Sequence, residues 1–166
     1  MFLNKRNKIV LVVAASGAAI VIALVAVTVI LGIVSIIRDA PKAEAIAQKN
    51  QSDIETEFSR IAPLSHATVL LSGSMRKTDH GIISAAYKTA ESYESIKEHY
   101  HHELTSKGWG FRKETGIKYD GVDYGGKELI YCKNGYVAQL QSAGRQEEEF
   151  GWTFSFAITW GGSECI

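Results

Sequence analysis

An uninterrupted apolar run from Ile9 to Ile37, IVLVVAASGAAIVIALVAVTVILGIVSII, constrains this chain more than any other feature. It holds no charged residue and no proline. The hydroxyls of Ser16, Thr28 and Ser35 can bond back to the helix backbone. A helix apolar on every side has no place in a soluble domain of this size. A bilayer core of about 30 Å, in contrast, takes roughly 20 such residues, and surplus length is absorbed by tilt. A transmembrane helix over residues 9–37 is therefore expected, with the lipid bilayer as its first partner.

Charge sets the expected orientation. Lys5, Arg6 and Lys8 press against the start of the run, whereas beyond its end Arg38 and Lys42 alternate with Asp39 and Glu44. Acids count little in the positive-inside bias. The N-terminus is expected in the cytoplasm and the C-terminal part outside, at the cell membrane. Ala43, Glu44 and Ala45 imitate a signal-peptidase site, as do Ala45, Ile46 and Ala47, but the run exceeds the about 7–15 residues of a signal core. An uncleaved signal-anchor is expected, and no cysteine near the run offers a lipoprotein site. Ala14 and Ala18, like Ala19 and Ala23, have the spacing of close helix approach. Alanine is common enough in membrane helices to produce this unaided, so the spacing leaves a homo-oligomer open without supporting one.

The layout read from these signals is a basic tail at 1–8, the membrane helix at 9–37, a helical stalk or linker at 38–65 and a domain at 66–166. Residues 50–166 carry twelve basic and sixteen acidic side chains, a net of −4. A mildly acidic domain is a poor partner for nucleic acid, which rewards clustered Lys and Arg.

Pro41 suits a first helical turn. Ser52, Asp53, Ile54 and Glu55 match a capping box, followed by Ile54, Phe58 and Ile61 at helical spacing up to Pro63. From Ala67 the period changes to two. ATVLLSG (67–73) and GIISAAYKTA (81–90) read as strands around a polar turn that includes Ser72 and Ser74. A helix follows, then the strand WGFRKETGI (109–117), a loop KYDGVDYGG, and a hairpin turning at Asn134 and Gly135. GRQEEE reads as a loop with Glu147–Glu149 at its solvated tip. In the last strand Trp152, Phe154, Phe156, Ile158 and Trp160 share one face. The expected fold is α+β: a mostly antiparallel sheet in the order β-β-α-β-β-β-β, covered by one main helix through Tyr93, Ile96, Tyr100 and Leu104.

Candidate chemistry is sparse. In SYESIKEHYHHELTSKGW the side chains of His99, His102 and Glu103 fall at spacings of three and four, so they are the candidate metal ligands. The H-E-x-x-H pattern is missing, and nothing places His66 or His80 beside them. A solvated helix face is the better reading of the three, and no metal is assigned. Gly108 has the position of a helix C-cap, and Trp109 folds back from it. Ser72 and Ser74 lack the nucleophile-elbow pattern, and Asp120 and Asp123 are too sparse for a calcium loop. No catalytic residue and no cofactor is assigned. Cys132 and Cys165 are either a disulfide, in an oxidising compartment, or two free thiols.

The order of anchor, paired strands and helix, with Tyr93, Tyr100, Leu104, Gly108 and Trp109 in their places, resembles small uncharacterised bacterial membrane-anchored envelope proteins over residues 67–160. The resemblance implies an envelope location and no site. The expected function is a single-pass membrane protein whose external domain is a binding or interaction module for an envelope partner. The alternatives are a metal-dependent envelope enzyme using His99, His102 and Glu103, and a structural subunit of a membrane complex.

Overall fold

The computed structural model describes Thr28, residues 40–119 and residues 121–165. The basic tail, the start of the linker and, but for Thr28, the membrane helix expected over 9–37 lie outside the described residues. Among the described residues no helix is long and apolar enough to cross a membrane. The chain divides between Ala43 and Glu44, and the unit Glu44–Ile166 holds the sheet.

Helix α1 runs through residues 40–60. Strands β1 (Thr68–Arg76) and β2 (Gly81–Lys88) follow, then helix α2 (Tyr93–Ser106). Strands β3 (Gly110–Tyr119), β4 (Val122–Lys133) and β5 (Tyr136–Ser142) come next, then a short turn of helix, α3 (Glu147–Phe150), and β6 (Phe154–Trp160). The six strands form one sheet in the order β1-β2-β6-β5-β4-β3, and every neighbouring pair is antiparallel. The architecture is α+β.

Two helices cover one face of this sheet, where a single main helix was expected. The segment read as a stalk buries Ala47, Gln51, Ile54 and Ile61, at successive spacings of four, three and seven on one helical face, and so belongs to the core from its first buried turn onward. Gln51 is tolerated there because its amide is satisfied. Its Oε1 accepts from Trp160 Nε1 (3.1 Å), and its Nε2 donates to Ser74 Oγ (2.8 Å). Ser52 is not an N-cap. It lies inside α1, where its carbonyl accepts from Thr56 Oγ1 (2.8 Å). The helix-prone KAEAIAQKNQ supplies the preceding turns, so the capping pattern has no free backbone donor to satisfy.

Helix α2 forms as its spacing implies. Ser92 caps it by accepting from Ser95 N (3.2 Å), and Ile96, Tyr100 and Leu104 are its buried residues. At the other end Gly108 takes φ +83°, Gly108 N donates to Thr105 O (3.0 Å) and Trp109 N to Leu104 O (3.0 Å). This is the paired Schellman closure, and it drives Trp109 into the core. Phe156 lies between the helices, its ring 5.4 Å from Phe58 of α1 and 5.0 Å from Tyr100 of α2.

Several boundaries differ from expectation. Strand β1 continues through Ser72 and Ser74, because Ser74 faces α1 and donates to Glu55 (2.7 Å). KYDGVDYGG is mostly ladder: β3 and β4 pair out to Tyr119 and Val122, and Asp123 accepts from Gly125 N (2.7 Å). Trp152 drops out of the last strand and stacks on Phe150 at 5.2 Å. Asn134 (φ 52°) and Gly135 (φ 80°) make the expected hairpin turn.

The opposite face of the sheet carries Ser84, Ala86, Ser155 and Ala157, with Gln139 and Gln141 both donating to Glu128. The chain end returns toward β3 and β4. Cys165 forms a disulfide with Cys132, and Glu164 pairs with Lys113 (2.8 Å).

Candidate functional site

The three residues considered for metal are not assembled as ligands. His99 Nε2 lies 2.9 Å from the Ala62 carbonyl, and Glu103 accepts from Ala62 N (2.8 Å) and Lys107 Nζ (2.6 Å). The pair clamps the backbone that leaves α1, and His102 is exposed. Ala62 lies just past the end of α1, and these side chains satisfy both of its backbone groups. Among the described residues no three His, Cys, Asp or Glu side chains group to hold a metal ion. His80 instead bonds Asp79 (2.7 Å), and His66 is exposed.

The site that the fold does build lies one helical stripe away. Glu94 and Glu98, like Lys97 and His101, lie four residues apart along a flank of α2. They face Phe111 and Glu114 of β3 and Leu129 and Tyr131 of β4, and the space between is a cavity of about 450 Å³. That volume lies in the range of small-molecule sites.

A β-bulge makes the strand side of this cavity. Phe111 pairs with Tyr131, but the next pair is Lys113 with Ile130, so Arg112 is the extra residue. Strict alternation would put Lys113 on the face of Phe111. The bulge puts Glu114 there, opposite Leu129, within reach of α2. Glu114 accepts from Lys97 Nζ (2.6 Å) on one oxygen and from Tyr93 Oη (2.9 Å) on the other.

The electrostatics follow from these contacts. The bond from Lys97, and then the one from Tyr93, hold the Glu114 carboxyl below its usual range. Glu114 in turn pushes Lys97 up. Burial, and then the charge of Glu114, push Tyr131 up to about 12, so it stays a neutral hydroxyl. That hydroxyl shares a hydrogen bond with His101 Nδ1 (3.2 Å), and Phe111 stands edge-on to the Tyr131 ring at 5.4 Å. Glu94 and Glu98 have no ion-pair partner among the described residues.

The pH dependence of the Glu114 tie has a definite sign. Its folded pKa is lowered, so its contribution is present above the unfolded value of about 4.5 and is lost as pH falls through the folded value. Glu114→Gln is expected to melt below the parent at pH 7, by a gap that narrows as pH falls below about 4.5. A melting gap that does not narrow on acidification would show that the carboxylate charge is not what ties β3 to α2.

The cavity has an aromatic and aliphatic wall and a carboxylate rim. The helix side is visible in the sequence as the spacing 94, 97, 98 and 101. The strand side is not, because no local pattern announces the bulge at Arg112. Comparison with protein-family models, with curated proteins and with solved structures returns no match.

Proposed function

We propose that this chain is a membrane-anchored binding protein. Residues 9–37 hold it in the bilayer with the N-terminus in the cytoplasm, and the domain from Glu44 onward works outside. The binding site is the cavity between α2 and the β3–β4 pair. The observation that carries this reading is Phe111. The residue is 48 % exposed on the wall of a preformed cavity, beside the buried Tyr131 ring. Single exposed apolar residues are ordinary, but an aromatic one lining a concave site beside convergent polar groups is the usual makeup of a ligand pocket.

A photo-cross-linking phenylalanine analogue tests the assignment in cells. At position 111 it is expected to give one discrete adduct. At Val122, equally exposed at 49 % but outside the cavity, it is expected to give none. Equal adducts at both positions, or none at 111, would remove the cavity as the binding site.

A further inference from the structure

We infer that the cavity takes a small organic cation: a protonated amine on an apolar body about the size of one ring. The inference rests on the binding reading above and adds the chemistry of the ligand. Charge complementarity carries it. Lys97 and Glu114 neutralise each other at 2.6 Å, and His101 is engaged with Tyr131. Glu94 and Glu98 remain, one helical turn apart on the same rim, as two carboxylates without an ion-pair partner among the described residues. Below them Phe111, Leu129 and Tyr131 form the apolar wall.

An anion would meet both carboxylates and lose its hydration without gaining a cation. A neutral apolar body would fill the wall but leave the rim unused. A cation on an apolar stem satisfies both, and the exposed ring of Phe111 adds attraction for the charge. The positive end of the α2 dipole opposes this at Glu94, in the first turn. That effect fades within a turn, so Glu98 is outside its reach.

The same ammonium group could arrive on a free amine or on a lysine side chain. A cavity of about 450 Å³ is the size of a small-molecule site and fits the free molecule, and the test separates the two. The purified full chain is titrated calorimetrically with 2-phenylethylamine, 2-phenylethanol, 3-phenylpropionate and a capped Ala-Lys-Ala peptide. Saturable binding is expected for the amine alone. The double variant Glu94→Gln, Glu98→Gln should weaken it about tenfold, and Glu148→Gln with Glu149→Gln, on an exposed turn, should leave it unchanged. Unchanged melting of both variants shows that the fold is kept.

Equal binding of the alcohol or the acid, or an amine affinity indifferent to the Glu94 and Glu98 changes, overturns the inference. Tighter binding of the peptide than of the amine overturns the assignment to a free molecule. Failure of all four probes, with the position-111 adduct still formed in cells, sinks the cation and leaves the binding site standing. Failure of both removes both.

Discussion

Phe156→Ala is expected to remove about 3–5 kcal/mol of folding stability. The side chain is 1 % exposed and is held between Phe58 of α1 and Tyr100 of α2. Deleting the ring leaves a void that three rigid elements cannot close together, so the cavity cost adds to the lost transfer energy. A small domain has about 5–15 kcal/mol in total. Denaturant titration of the full chain measures the loss, and His102→Ala, on the exposed side of α2, should stay within about 0.5 kcal/mol of the parent. A loss under about 1 kcal/mol for Phe156→Ala would mean that the two helices do not close over this ring.

Cys165→Ser is expected to cost about 2–4 kcal/mol. The disulfide to Cys132 spans 33 residues, so cutting it returns substantial freedom to the unfolded chain. It also releases Glu164 from Lys113, and the chain end loses its hold on the sheet. Reductant should bring the parent down to the melting point of the variant and leave the variant unmoved. A variant that melts with the oxidised parent would show that the bridge does not constrain the unfolded chain. A bridge of this kind persists in an oxidising compartment, which the proposed external placement supplies.

Local signals in the sequence determined the elements that depend on near neighbours. The Asn134 and Gly135 turn, the Gly108 cap and the alternation from Phe154 to Trp160 each rest on backbone preferences within a few residues. The stripe Ile96, Tyr100, Leu104 was equally legible, because one helical face suffices to bury it. The second covering helix was only half legible. Ile54, Phe58 and Ile61 announced it, but Ala47 is a weak apolar signal and Gln51 reads as solvent-facing. Gln51 becomes a core residue only through Trp160, 109 positions away, and Ser74, 23 away. The cavity shows the same division. Glu94, Lys97, Glu98 and His101 share a flank by helical geometry alone. Glu114 joins them because one extra residue at Arg112 shifts the β3 register against β4, and the pairing of two strands is a choice that only the assembled sheet makes.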